Sequence, residues 1–216
     1  MFKAVIFDVD GTLLDTERVY MQAWRVAGAQ QGYDIAWDTL VRTRAVPMSV
    51  TRQVMHEAHG PDFPVEEIMA ERYRLAEIMI PQIPGQQLLK PGAVEVLEHL
   101  KSKGIPMAVA SSTAYDKTIA HLDHTGLTHY FPVKLGGDMV KQVKPAPDLF
   151  LLAAQQLGLE PRECLVVGDS PADVKAAVAA GMQVVLIPDT VPLNPQTQEL
   201  SAYVFQDLFP VIQLFP

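Results

Sequence analysis

The chain has 216 residues, of which 49% are apolar and 19% are charged, and its formal net charge is −8. This apolar content is enough to bury a sizeable core, which excludes global disorder. The acidic balance argues against nucleic acid as a partner, and the apolar runs fall far short of a membrane span, so no membrane partner is expected. A single cysteine, Cys164, and an N-terminus without a signal-peptide pattern favour a cytoplasmic location.

The first predicted element is a buried strand over residues 3–7, an apolar run that ends abruptly at Asp8. The stretch that follows, residues 16–84, shows helical patterns and no convincing strand, and proline and glycine interrupt it. Helices are predicted over residues 16–31, 49–59 and 65–79. We therefore interpret residues 16–84 as an all-helical domain inserted into a second domain, which comprises residues 1–15 and 85–216.

Beyond the insertion, apolar runs alternate with helical patterns that end near glycine. Strands are predicted over residues 107–110, 133–135, 164–167 and 184–187, with a short edge strand over residues 202–205. Helices are predicted over residues 93–103, 116–125, 148–157 and 172–180. This alternation is typical of βαβ units. We therefore predict an α/β fold, with a Rossmann-like parallel sheet that carries helices on both faces.

Polar side chains follow the predicted strands at their carboxyl ends. Asp8 and Asp10 follow the first strand, and the later strands are followed by Ser111, Lys144 and Asp169. In an open parallel sheet, ligands bind in the crevice outside these strand ends. We therefore expect the five side chains to meet in one cleft.

This set of side chains suits a phosphoryl group and a metal ion. Asp8 and Asp169 would stand close together as like charges, so they need a cation or a shared proton. Oxygen ligands without histidine or cysteine indicate Mg²⁺. Lys144 and the hydroxyl of Ser111 would supply the opposite side of an anion site.

Asp8 and Asp10 stand two residues apart and therefore face the same side of an extended chain. One carboxylate can attack phosphorus, and the other can donate a proton to the leaving oxygen. Gly11, which follows directly, frees the backbone to turn tightly.

Further candidates lie on predicted helices. Ser112 and Thr113 open a helix, so their backbone N–H groups can add to the anion site, although simple capping is an alternative. Arg44 is the arginine of the insertion that we single out as a cation able to bind substrate. His121 and His124 share a helix face, which we interpret as solvated.

Residues 8–12 (Asp-Val-Asp-Gly-Thr) resemble the first signature of the haloacid dehalogenase superfamily. Ser111, the pair Lys144-Pro145 and residues 168–173 (Gly-Asp-Ser-Pro-Ala-Asp) match the other three signatures in order. The four matches span most of the chain, and the insertion is similar to the helical cap of this family. Within the family, the chain looks most like the β-phosphoglucomutase-like sugar-phosphate phosphatases.

The resemblance implies catalytic and metal-binding roles for three aspartates. Asp8 would be the nucleophile that forms an aspartyl-phosphate, and it would also bind Mg²⁺. Asp10 would be the general acid and base, with its backbone carbonyl on Mg²⁺. Asp169 would complete the metal ligands.

The resemblance also implies which residues hold the phosphoryl group. Ser111 and Lys144 would bind its oxygens. Asp173 would anchor Lys144 or a water bound to the metal. The expected ligand is a small phosphorylated metabolite.

The sequence therefore predicts a Mg²⁺-dependent phosphatase that acts on a sugar phosphate or a nucleoside-like phosphate. A phosphosugar mutase of the β-phosphoglucomutase type is an alternative, although that enzyme has a histidine and an arginine where this chain has Tyr20 and Met48. A non-catalytic regulator that binds a phosphorylated metabolite is an alternative of another class. The sequence leaves the oligomeric state open.

Overall fold

The computed structural model describes residues 2–44, 46, 48–191 and 193–216. The chain divides into two compact units. The sheet unit comprises Met1–Asp15 and Gly85–Pro216, and the inserted unit comprises Thr16–Pro84. Within the described ranges, no helix has both the length and the apolar character that crossing a bilayer requires.

The sheet unit is built on a six-stranded sheet in which every pairing of the described strands is parallel. The strands are β1 (Ala4–Phe7), β2 (Met107–Ala110), β3 (Val133–Leu135), β4 (Cys164–Gly168), β5 (Gln183–Leu186) and β6 (Tyr203–Val204). Their order is β3-β2-β1-β4-β5-β6, so the strand order reverses between β1 and β4. The predicted parallel α/β sheet is confirmed, and the reversal marks the edge where such sheets bind ligands.

The inserted unit is helical throughout its regular elements, as far as the structure describes them. Its helices are α1 (Thr16–Gln30), α2 (Trp37–Arg42), α3 (Met48–His59) and α4 (Val65–Met79). A core that includes Met21, Trp24 and Ile68 lies between them. The sequence patterns did not predict α2, because this six-residue helix buries one residue, Leu40, and therefore shows no apolar repeat.

Helices cover both faces of the sheet, as predicted. They are α5 (Ala93–Ser102), α6 (Tyr115–His124), α7 (Asp148–Leu157), α8 (Pro171–Ala179) and α9 (Pro195–Leu200). Alternate residues of a strand point to opposite faces. Phe7 therefore packs in one core with Leu97 of α5, whereas Ile6 packs in a second core with Phe150 of α7.

The strand register brings the polar residues to one edge of the sheet. Phe7 of β1 pairs with Val109 of β2 on one side and with Val167 of β4 on the other. The three central strands therefore end at the same level, and the loops that carry Asp8 and Asp169 leave the sheet side by side.

Candidate active site

Asp8 is the first residue beyond β1, and its carboxylate binds Lys144. Asp8 Oδ1 accepts a hydrogen bond from Lys144 Nζ at 2.5 Å, and the same Nζ donates to Asp173 Oδ1 at 2.7 Å. The side chains of Lys144, Asp8 and Asp173 are 3%, 9% and 2% exposed. Lys144 therefore bridges two buried carboxylates that would otherwise repel each other.

The first turn of α8 fixes Asp173. Ser170 donates to Asp173 Oδ2 from its backbone N–H at 3.1 Å and from its hydroxyl at 2.5 Å. The Asp173 N–H donates back to Ser170 Oγ at 3.3 Å, which completes a capping box. A Cβ at Gly168 would lie 2.5 Å from the Asp173 Cβ, so glycine is needed for this close approach. The glycine and the serine of this motif thus orient the Asp173 carboxylate toward Lys144.

Burial and the neighbouring charges shift the pKa of Asp8 upward, and the neighbouring charges shift the pKa of Lys144 upward. Burial, together with the Asp173 and Asp10 carboxylates, raises the pKa of Asp8 to about 8 against the lowering effect of Lys144. Burial alone would lower the pKa of Lys144, but Asp173 and Asp8 raise it above its ordinary value. Lys144 is therefore an ammonium group, and the pKa of Asp8 is raised because burial and the neighbouring carboxylates outweigh the attraction of this ammonium group.

Asp169, just beyond β4, completes a group of carboxylates that fits a divalent cation. One carboxylate oxygen each of Asp8, Asp169 and Asp173 lies within 4.8 Å of the others, and all three residues are buried. Thr12 Oγ1 donates to Asp169 Oδ1 at 3.3 Å. Gly11 has φ +91°, and a Cβ there would lie 2.5 Å from Asp169 Oδ2. Clustered carboxylate oxygens without histidine or cysteine are suited to Mg²⁺.

The Asp10 carboxylate points toward the loop between β2 and α6. Its Oδ2 accepts a hydrogen bond from Thr113 Oγ1 at 2.8 Å, and Ser111 Oγ lies 3.4 Å from the same oxygen. Ser111 Oγ in turn accepts the Thr113 N–H at 3.0 Å. On the other side, His121 Nδ1 lies 3.4 Å from Asp10 Oδ1. Asp10 is thus held by side chains other than those of the Lys144 bridge.

The residues that the sequence singled out in the sheet unit fall into two adjoining groups. Asp8, Lys144 and Asp169 belong to the carboxylate cluster, and Asp10 and Ser111 belong to the hydroxyl-lined group. The third carboxylate oxygen of the cluster comes from Asp173 rather than from Asp10. The side chain of Ser112, in the same loop as Ser111, is exposed.

Two contacts of Asp10, with His121 and with the Thr113 hydroxyl, were not predicted from the sequence. His121 was interpreted as part of a solvated helix face, which is wrong, because the residue is 8% exposed and lies beside Asp10. Thr113 was considered for its backbone and for capping, whereas its hydroxyl binds Asp10. The signal in the sequence was the spacing of His121 from Thr118 and Leu122, since all three lie on the buried face of α6.

Arg44 lies in the inserted unit and forms an ion pair with Glu17 there. It lines a cavity of about 400 Å³ together with Trp24, Met48 and other residues of that unit. Arg72, on the same cavity, places its guanidinium carbon 4.8 Å from the centre of the Tyr20 ring. That Arg44 contacts a substrate stays a prediction.

Residues 2–181 match the family model described as haloacid dehalogenase-like hydrolase. Protein CbbY of Rhodobacter capsulatus is 39% identical over 196 residues, which cover 86% of this chain and 85% of the relative. Fructose-1-phosphate phosphatase YqaB of Escherichia coli strain K12 is 33% identical, with 85% and 95% covered. The solved structure of β-phosphoglucomutase from Clostridium difficile is similar with a TM-score of 0.77 at 25% identity, over 99% of this chain and 96% of that chain.

Proposed function

The chain belongs to the haloacid dehalogenase-like hydrolases and is a phosphoric monoester hydrolase, and on this premise we propose that it hydrolyses a small phosphorylated carbohydrate through a phosphoryl group carried on Asp8. The bridge of Lys144 between the buried Asp8 and Asp173 is the observation that carries the proposal. A relative named for fructose 1-phosphate supports the carbohydrate substrate.

In the first step, a carboxylate oxygen of Asp8 attacks phosphorus and the bond from phosphorus to the ester oxygen breaks. Lys144 already binds Asp8 Oδ1, so the attack falls to Oδ2. Asp10 gives its proton to the departing sugar oxygen, which leaves as an alcohol. Lys144 neutralises charge on the phosphoryl oxygens as this bond changes.

In the second step, water attacks the phosphorus of the aspartyl-phosphate. Asp10, now ionised, takes a proton from this water. The bond between phosphorus and Asp8 breaks, so inorganic phosphate leaves and the Asp8 carboxylate is restored. The hydroxyls of Thr113 and Ser111 hold Asp10 on one of its oxygens throughout.

The metal ion would be held by Asp8 and Asp169, because Asp173 is already bound to Lys144 and Ser170. When bound, Mg²⁺ would offset the negative charge of the phosphoryl oxygens and of the attacking carboxylate. The backbone carbonyl of Asp10 remains the further ligand that the family resemblance implies.

A phosphate-release screen tests this function. Purified protein is incubated with a panel of sugar phosphates and nucleotides, with Mg²⁺ or with a chelator, and inorganic phosphate is measured. We expect release from sugar phosphates that depends on Mg²⁺. Asp8→Asn should lower this rate by at least about 10³-fold, whereas Asp116→Asn, an exposed aspartate on α6, should leave it unchanged.

Three results would count against the proposal. Turnover by Asp8→Asn near the wild-type rate would remove the nucleophile. Formation of an isomeric sugar phosphate in place of inorganic phosphate, with a need for a trace bisphosphate, would indicate a mutase. Thermal stabilisation by sugar phosphates without any phosphate release would indicate a binding protein.

A further inference from the structure

Asp10 is contacted on both of its carboxylate oxygens, by residues before and within α6. Thr113 binds Oδ2, and His121 Nδ1 lies 3.4 Å from Oδ1. We propose that His121 is a positioning residue, which fixes the orientation of the Asp10 carboxyl for proton transfer to the leaving group. This inference rests on the function proposed above.

The contacts on Oδ2 cannot fix the carboxyl group by themselves. Thr113 and Ser111 both contact Oδ2, so these two contacts still allow the carboxyl group to rotate about Oδ2, which would move Oδ1. A contact on Oδ1 from a different direction removes this freedom. His121 supplies one such contact on Oδ1, and both side chains of the pair are 10% exposed.

The ring nitrogen that faces Asp10 is buried and available for this role. Within the described residues, His121 Nδ1 makes no hydrogen bond of good geometry in the structure, and water does not reach it. A buried polar atom without a partner is unfavourable. A small shift of Oδ1 toward the ring would give the nitrogen its hydrogen bond and fix the plane of the carboxyl at the same time.

The start of α6 is held firmly enough to place His121 with accuracy. Asp138 Oδ1 accepts the Tyr115 N–H at 2.8 Å, and the Gly137 N–H donates to the Thr113 carbonyl at 2.8 Å. The buried Thr118 hydroxyl donates to the Ala114 carbonyl at 3.1 Å. The loop after β2 and the first turns of α6 therefore form one rigid piece that carries both contacts to Asp10.

A positioning role and a packing role for His121 predict different kinetics. The alcohol of a sugar phosphate is a poor leaving group, so its departure needs a well-placed acid. The para-nitrophenolate of para-nitrophenyl phosphate leaves without a proton. If His121 positions Asp10, its loss should slow the first substrate far more than the second, whereas a general disturbance of the core would slow both.

The experiment compares kcat and KM for both substrates in four variants, with the sugar phosphate that the panel identifies. Asp10→Asn is the reference for loss of proton transfer. His121→Leu removes the ring nitrogen, and His121→Asn keeps an N–H at the position of Nδ1. His124→Leu is the matched control, since this exposed histidine lies on the same helix.

We expect His121→Leu to lower kcat for the sugar phosphate by about tenfold to 10²-fold, with KM and the rate on para-nitrophenyl phosphate changed less than about twofold. His121→Asn should recover most of the lost rate, and His124→Leu should match the wild type. Equal slowing of both substrates, or no slowing, in a folded His121→Leu protein would overturn the inference. If the wild type hydrolyses neither substrate, the proposed function itself fails.

Discussion

At the scale of single residues, two glycines determine how closely the carboxylates of the site approach one another. Asp169 Oδ2 lies 2.5 Å from the position of a Cβ at Gly11, and the Asp173 Cβ lies 2.5 Å from the position of a Cβ at Gly168. Gly11 also has φ +91°, a conformation that side chains with L chirality rarely adopt. The motifs therefore need glycine for space as well as for backbone conformation.

Replacing Gly11 by alanine, compared with the same change at a second glycine, separates the requirement for space from the requirement for positive φ. Strain at positive φ should lower the free energy of unfolding by about 1–2 kcal/mol, and displacement of Asp169 should also weaken Mg²⁺ binding. Gly104 is the control, because it has φ +66° with open space around it. We expect Gly104→Ala to lose stability alone, whereas Gly11→Ala loses stability and Mg²⁺-dependent activity. Equal activity of the two variants would contradict this account.

At the scale of elements, the N-terminus of α8 joins helix capping to the site. Ser170 caps the helix and also binds Asp173 Oδ2, whose other oxygen accepts from Lys144. The cap of α9 is similar, since Asn194 Oδ1 accepts the Thr197 N–H at 2.9 Å, but it serves the helix alone.

This difference gives a paired prediction. Ser170→Ala and Asn194→Ala should each lower the free energy of unfolding by about 0.5–2 kcal/mol, measured by denaturant unfolding. Ser170→Ala should in addition lower kcat, because Asp173 then holds Lys144 less firmly. The link between the cap and the site would be refuted if Ser170→Ala kept wild-type kcat after losing stability.

The sequence predicted elements well where burial is uniform. β2 and β3 have the predicted bounds, and β1 and β4 differ by one residue, because short apolar runs between glycine-ended helices are distinctive. It missed α2, whose contacts are set by tertiary packing. It also missed the contact between His121 and Asp10, since no local sequence pattern shows which distant residue lies against a given side chain of a helix.

At the scale of the whole molecule, the site gathers negative charge in a chain that is already acidic. The Lys144 ammonium faces Asp8 and Asp173, with Asp169 and Asp10 beside them. Repulsion between like charges that the fold brings together lowers the stability of the folded protein, so a divalent cation should stabilise it.

We therefore expect Mg²⁺ to raise the thermal unfolding midpoint. At a concentration of one hundred times its Kd, the ion should add about 2.7 kcal/mol to the free energy of unfolding. Asp169→Asn should abolish this gain, although the metal-free variant should be no less stable than the wild type because a repulsion is relieved. The exposed Asp116→Asn should keep the full gain. A full Mg²⁺ effect in Asp169→Asn would show that the ion binds elsewhere.

The candidate site was predictable in its composition but not in its arrangement. Strand ends in a parallel sheet meet at one edge, so the sequence could bring Asp8, Ser111 and Asp169 to the same place. The family resemblance gave the pair of Lys144 and Asp173 as one of two options for Asp173, and the structure shows this contact. The sequence could not show that Lys144 also binds Asp8, because that contact depends on side-chain directions in separate loops.

The most direct test of the account is rapid chemical quench during turnover, followed by borohydride reduction and peptide mass spectrometry. Borohydride converts an aspartyl-phosphate to homoserine and so marks the residue that carried phosphorus. We expect homoserine at position 8, with none in the Asp8→Asn protein. A phosphoryl group on another residue, or a burst of alcohol product with no phosphoryl group on the protein, would contradict it.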